Sequence, residues 1–390
     1  MTPPAGWRLR AGPAGVDLLD RDGPVPPVRP GRGPGVWRWA DLLPLPAGTE
    51  HLSLGEGGTP LLGAPRLAAA AGVAEVWLKL DHLNPTGSFK DRAVAVGVAD
   101  AVRRGAGGIV CGSSGNAAAS AAAYAARAGL PAVVVCPEGA PPGKLAAIAA
   151  YGAVQVLVPG DYSRSFALAV DLAAELGFAN VTTTYVNPAA VTGLRTVAYE
   201  LVEQLPAPVD RVVVPTSAGP LVHGVRTGFE DAVAAGRAAR VPALVAAQPE
   251  GCAPVARAFA AGAAAVREWD DVRTAVSGLD DPLRGYAGDG TVTLRAVGET
   301  GGAAVALPDE DTAAARALLA EQEGIDVEPA AATAVAALLS LGAGGGLAPA
   351  ERVVCLLTGH GLKHPPTSAA PATVVTSVGE AVDHVTARAR

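Results

Sequence analysis

The sequence predicts an α/β fold in which parallel sheets are covered by helices on both faces, and three observations predict it. From about residue 75 onward, short β-branched runs alternate with alanine-rich helical stretches of ten or more residues, and crossovers of that length join parallel strands. The candidate strands Val133-Val134-Val135 and Val212-Val213-Val214 are continuously apolar, as strands buried between two helical layers are. Over 390 residues, 50% are hydrophobic and 17% charged, which supplies a large core and points to two domains.

Residues 1–50 are rich in Pro, Gly and Arg and read as an arm of little regular structure, anchored by Trp7, Trp37 and Trp39. Residues 75–80 form the first strand, and 88–104 a helix that follows a turn-forming Asn-Pro-Thr-Gly. A strand at 108–111, a helix at 116–128, a strand at 132–136, a helix at 143–151 and a strand at 154–158 continue the alternation. Helices at 163–176 and 190–205, strands at 211–214 and 243–248, helices at 309–322 and 329–341, and a strand at 352–357 complete it. Residues 270–305, rich in Gly, Asp and Thr, carry the weakest pattern and read as a long loop near the site; 342–346 read as a flexible loop.

A net charge of −7 and the lack of any Lys/Arg cluster argue against a nucleic-acid surface. The four cysteines are scattered without CxxC spacing and read as reduced thiols of a cytoplasmic protein. The six histidines show no metal-ligand spacing. No secretory signal is expected at the N-terminus. The longest apolar run, 117–136, is interrupted by Arg127, Gly129 and Pro131 and reads as a helix and a strand, not a membrane span.

In open α/β sheets, ligands bind beyond the carboxyl ends of the strands, in loops that lead into helices, and four loops have that position. The first, Asn84-Pro85-Thr86-Gly87-Ser88-Phe89-Lys90-Asp91-Arg92, sets a lysine at a helix start. The macrodipole disfavours a cation there, which lowers the lysine pKa and suits it to attack a carbonyl. This reads as a Schiff-base lysine; taken alone, it would be an ordinary helix-start side chain. The second, Cys111-Gly112-Ser113-Ser114-Gly115-Asn116, lets a ligand approach the backbone and offers a helix N-terminus to a carboxylate. Asn116 adds an amide for a ring hydroxyl; a plain helix cap is the competing reading. The third, residues 215–221, offers backbone N–H groups and two hydroxyls as a phosphate cup, although it is glycine-poor and Pro220 removes a donor. In the fourth, 358–363, Thr358 could hydrogen-bond a ring nitrogen without charge, while His360 can be read as a loop histidine with no role.

Together these loops resemble those of the threonine synthases, within the fold type II (tryptophan synthase β-like) pyridoxal-phosphate enzymes. Residues 54–61, Leu-Gly-Glu-Gly-Gly-Thr-Pro-Leu, are similar to the family's N-terminal motif, and 84–92, 113–116 and 358–363 to its lysine, asparagine and closing motifs. Glu328-Pro329-Ala330 and Gln248-Pro249-Glu250-Gly251 add to the resemblance. It implies two open, mostly parallel sheets: an arm at 1–50, a large cofactor-binding domain at 51–95 and 190–390, and a small domain at 96–189. It implies pyridoxal 5'-phosphate as cofactor, with Lys90 carrying the Schiff base and shuttling protons, and Phe89 and Asn116 at the ring. Thr216, Ser217, Ala218, Gly219 and Leu221 would cradle the phosphate, and Thr358 would face the pyridine nitrogen. Thr86, Ser113, Ser114 and Gly115 would bind the substrate. The implied reaction converts O-phospho-L-homoserine and water to L-threonine and phosphate, in a homodimer.

The chain departs from the family at the substrate end. Where the family has Asn-Ser, Asn-Pro and an arginine two residues later, this chain reads Thr184-Tyr185-Val186-Asn187-Pro188-Ala189-Ala190, and Ala117 replaces a threonine. Each loss removes a charge-assisted hydrogen bond of about 1.5–3 kcal/mol, for which Arg195 or Arg164 would have to compensate. The alternatives are a diverged enzyme performing β- or γ-elimination or replacement on another amino acid, or a threonine/serine dehydratase. A dinucleotide-dependent dehydrogenase is disfavoured because no G-x-G-x-x-G opens a βαβ unit. A non-catalytic binding protein is disfavoured by the intact Lys90.

Overall fold

The computed structural model describes residues 3–27, 33, 35–45, 48–365 and 374–388. Its strands are β1 (Trp7–Ala11), β2 (Asp17–Arg21), β3 (Leu61–Gly63), β4 (Glu75–Lys79), β5 (Ile109–Gly112) and β6 (Ala132–Pro137), then β7 (Val154–Val158), β8 (Ala179–Asn180), β9 (Arg211–Pro215), β10 (Ala243–Pro249), β11 (Ala303–Leu307) and β12 (Arg352–Leu356). A six-stranded sheet runs β11-β10-β9-β12-β4-β3, and a four-stranded sheet runs β7-β6-β5-β8. All pairs in these two sheets are parallel except the edge pair β3–β4. Val212 lies in register between Leu244 and Val354, all of them fully buried, which is why this strand reads as an unbroken apolar run.

The helix Pro329–Ala343 covers one face of the larger sheet and buries every residue from Ala330 to Leu338. Helices Thr196–Gln204, Pro220–Ala234 and Ala287–Glu299 cover the other. The smaller sheet lies between Lys90–Arg103 with Asn116–Ala128 on one face and Tyr162–Leu176 on the other. Alanine-rich helices allow this close packing at little rotamer cost. No helix among the described residues is long and apolar enough to cross a membrane. All four cysteines are buried and unpaired.

Three expectations are corrected. The arm is not irregular: β1 and β2 form an antiparallel hairpin that packs on the body through Trp7, Leu18 and Leu19. Within 190–205 the helix is broken into Pro188–Thr192, a 3₁₀ turn Gly193–Arg195 and Thr196–Gln204. Gly193 there lies against the carbonyl of Arg92, so close that a Cβ would come within 2.1 Å of it. Of 270–305, only the first half is a loop; Ala287–Glu299 is a helix, and β11 is an edge strand whose alanines are held by pairing with β10.

Burial also creates a pH dependence. Asp289, in the first turn of Ala287–Glu299, accepts a hydrogen bond from the Tyr185 amide at 3.2 Å. Desolvation raises its carboxyl to about 7. A folded-state pKa above the unfolded value means the charged form costs stability as pH rises from about 4 to 7. Asp289→Asn keeps an acceptor for Tyr185 and removes that charge. It is expected to match the parent near pH 4 and exceed it by about 1–3 kcal/mol at pH 8, read from urea unfolding at the two pH values.

Candidate active site

The carboxyl ends of both sheets face one cleft of about 510 Å³, the position an open α/β architecture prepares for ligands. Lys90 is the first residue of its helix and reaches into this cleft. Its Nζ donates to Thr183 Oγ1 at 2.7 Å and lies 4.7 Å from the centre of the Phe89 ring. Burial lowers its pKa to about 8, against the opposing pull of the nearby Cys111, Asp281 and Glu328. The sequence assigned this shift to the helix dipole; desolvation is the larger cause.

The turn before Lys90 is fixed by its neighbours. Buried Asp91 accepts hydrogen bonds from the Thr86 amide and hydroxyl, both at 2.7 Å, and from Ser120 Oγ at 2.6 Å. Thr86 therefore braces the lysine turn and is not among the cleft-lining residues.

Ser113, Ser114, Gly115 and Asn116 line the cleft at the start of Asn116–Ala128. Asn116 Nδ2 donates to Glu328 Oε1 and its Oδ1 accepts from Lys363 Nζ, each at 2.7 Å. On the opposite wall Ser217, Gly219 and Leu221 line the cleft at the start of Pro220–Ala234. Gly219 adopts φ +93°, and a Cβ there would lie 2.1 Å from Thr293 Oγ1, so only glycine brings this backbone to the wall. Thr216 and Ala218 lie beneath this wall, buried, where the Thr216 hydroxyl donates to the Val214 carbonyl. Thr358, after β12, lines the cleft and accepts from the Phe89 amide through its carbonyl.

Arg195 does not reach the cleft. It is buried against Asp231, at 3.1 Å, and the Leu19 carbonyl of the hairpin, at 3.0 Å. Its charge is therefore spent holding the arm and cannot hold a substrate phosphate. Arg164 is exposed on Tyr162–Leu176 and does not line the cleft either. Ala190 is 1% exposed and packs against Gly97, so that position also faces away from solvent and cleft.

Sequence reading missed Thr183, Asp281 and Lys144, all of which line the cleft. Asp281 Oδ1 accepts from the Tyr286 hydroxyl at 2.5 Å and from the Leu283 amide at 3.0 Å. Burial raises its carboxyl to about 6. Lys144, at the mouth, donates to Ser277 Oγ at 3.1 Å. The Asp280-Asp281 pair before Pro282, like Asp270-Asp271 earlier in the same loop, was a sign of polar character there.

The residues fit a phosphorylated aldehyde with an aromatic ring: one reactive amine, a helix start approached closely at Gly219 for the anion, and an amide and a hydroxyl at the ring's edges. Comparison with known proteins gives the same answer. The family model for pyridoxal-phosphate dependent enzymes matches residues 52–359. The threonine synthase of Methanosarcina acetivorans is 36% identical over 336 residues, 86% of this chain and 81% of that protein. That of Mycobacterium leprae is 35% identical, covering 85% and 88%. Among solved structures, a threonine deaminase from T.th. superposes with a TM-score of 0.65 at 27% identity, over 80% of this chain and 94% of that one. Maize serine racemase, at 22% identity and a TM-score of 0.68, covering 85% and 92%, shares the fold. The chain thus belongs to the pyridoxal-phosphate-dependent enzymes of fold type II, in the threonine synthase family, and is a pyridoxal-phosphate-dependent lyase.

Proposed function

We propose that this enzyme catalyses elimination or replacement at the β or γ carbon of an α-amino acid, the nearest activity being conversion of O-phospho-L-homoserine and water to L-threonine and phosphate. The observation that carries this is the Lys90 amine, poised on Thr183 at 2.7 Å between two helix starts that face one cleft. Pyridoxal phosphate, when bound, supplies an electron sink that acidifies the Cα–H of an attached amino acid. Lys90 would anchor it, Asn116 would meet its ring hydroxyl, Phe89 its ring, and Thr358 its pyridine nitrogen. Residues 216–219 and Leu221 would hold its phosphate, with Thr216 and Ala218 acting through backbone. Ser113, Ser114 and Gly115, at a helix N-terminus, bind and orient the substrate carboxylate. The freed Lys90 amine moves protons at Cα and Cβ, and Thr183 orients it.

A diverged substrate is favoured by one observation. The arginine of the family is Ala190 here, buried, and its threonine is Ala117, so the two positions the resemblance assigns to the substrate phosphate are apolar. The six-stranded region would form the large domain and the four-stranded region the small one. The homodimer of the family and a cytoplasmic location complete the proposal; four unpaired thiols support the latter.

The test is to incubate holoenzyme with O-phospho-L-homoserine, threonine, serine and O-acylated homoserines, following phosphate, 2-oxo acids and new amino acids. Threonine and phosphate formed in equal amounts establish the threonine synthase activity. A 2-oxo acid from threonine or serine establishes a dehydratase. Absence of product from every amino acid tried sinks the elimination reading.

A further inference from the structure

The groups that line the cleft carry an unexpected balance of charge. Asp161, Asp280, Asp281 and Glu328 stand against Lys90 and Lys144. Asp161 is paired with Arg284, and Glu328 has Lys363 nearby and Asn116 bonded to it. With Lys90 committed to the cofactor, Asp280 and Asp281 face Lys144 alone. Lys144 acts on Asp280 and sits at the exposed mouth beside Ser277. A dianionic phosphate entering this end would meet more negative than positive charge and no arginine among the lining residues, Arg284 being paired with Asp161.

Asp281 stands out among these groups. It is 6% exposed, yet both of its hydrogen bonds fall on Oδ1, from Tyr286 and Leu283. Oδ2 has no partner among the described residues, although the side chain lines the cleft. Oδ2 is not one of the fully buried side-chain atoms left without a partner, so it is open to the cleft and available to accept a hydrogen bond from a bound molecule. Burial raises the group only to about 6, so it is an anion at neutral pH.

Resting on the elimination or replacement reading above, we propose that Asp281 selects the substrate: an α-amino acid whose side chain ends in an amine and not in a phosphate. The Asp281 Oδ2 atom accepts the distal N–H, while loop 113–115 takes the α-carboxylate, so the two ends of the substrate are read by opposite charges. Leu194 and Ala117 also line the cleft and add no charge to it.

The experiment titrates holoenzyme with 2,4-diaminobutyrate, 2-aminobutyrate and O-phospho-L-homoserine, reading the absorbance of the bound cofactor. The diamino acid is expected to bind at least about tenfold tighter than 2-aminobutyrate, a difference of about 1.4 kcal/mol, and the phosphorylated compound more weakly than either. Asp281→Asn keeps an Oδ1 acceptor for Tyr286 and Leu283 and replaces the free oxygen with a donor. It should abolish the preference for the diamino acid and leave 2-aminobutyrate within about twofold, a split that general structural damage would not produce. If the variant does not fold, the ranking on the parent enzyme decides. Tighter binding of O-phospho-L-homoserine than of 2-aminobutyrate, or an Asp281→Asn enzyme with the parent's ranking, overturns the proposal. A cofactor absorbance that answers to none of the three overturns the proposed function, and this inference with it.

Discussion

Lys90→Ala is expected to leave a folded protein that no longer fixes pyridoxal phosphate, with turnover reduced by at least about 10³-fold, since it loses both the covalent anchor and the proton carrier. Borohydride treatment of the parent should attach the cofactor to the peptide holding Lys90; the variant should show no adduct, and an adduct at another lysine would refute the assignment. The pKa of about 8 adds a kinetic signature. Roughly a tenth of such an amine is neutral at pH 7, about half at pH 8 and nearly all by pH 9. The rate at which apo-enzyme captures the cofactor should therefore climb through that interval and level off. An unperturbed lysine would keep climbing past pH 10. Thr183→Val should weaken this control without removing the adduct, because it deletes the hydroxyl at 2.7 Å and leaves the amine.

Much of this site was legible because its chemistry is local. The turn before Lys90, the 113–116 loop and the Thr358 loop each place their residues by strand-to-helix punctuation within a few positions, and Asn116–Ala128 begins and ends where its sequence pattern does. What was not legible depends on contacts between distant segments. Thr183 meets Lys90 across 93 positions and Arg195 finds Asp231 across 36. Which face of 188–204 each residue takes was decided by the break at Gly193, which packing against Arg92 requires. β11 reads as alanine-rich coil until β10 supplies its ladder. The hairpin β1–β2 did carry a period-two alternation, Trp7-Arg8-Leu9-Arg10, that the Pro- and Gly-rich composition of the arm obscured.

The largest effect on stability is expected two residues beyond the reactive lysine. Arg92 is fully buried and donates to two carboxylates, Asp81 at 2.8 and 2.9 Å and Glu200 at 2.6 and 2.8 Å, and to the Thr196 and Thr59 hydroxyls at 2.9 and 3.1 Å. Lys79, equally buried, donates to Glu200 at 2.6 Å and to the Thr59 carbonyl at 2.7 Å. Two cations and two anions thus neutralise one another, tying the 57–60 segment, β4, Lys90–Arg103 and Thr196–Gln204 at one point. The attraction of these charges outweighs burial and holds the Glu200 carboxyl down to about 2. Arg92→Leu would leave two buried carboxylates with one cation, a loss of about 3–5 kcal/mol. Arg92→Lys keeps the charge but forfeits the bidentate geometry, so its loss should be smaller. Because the pairs exclude solvent, adding salt should recover little of either loss. A depressed carboxylate contributes stability above its unfolded pKa and loses it as pH falls, here from about 4 to 2. Urea unfolding of the parent should therefore weaken over that interval, and the Arg92→Leu enzyme should show a smaller acid-dependent change there. Equal urea midpoints for parent and Arg92→Leu at pH 7 would show that the cluster adds nothing to stability. The Lys90 turn would then owe its position to its other bonds, those of Asp91 with Thr86 and Ser120 and of Phe89 with the Thr358 carbonyl.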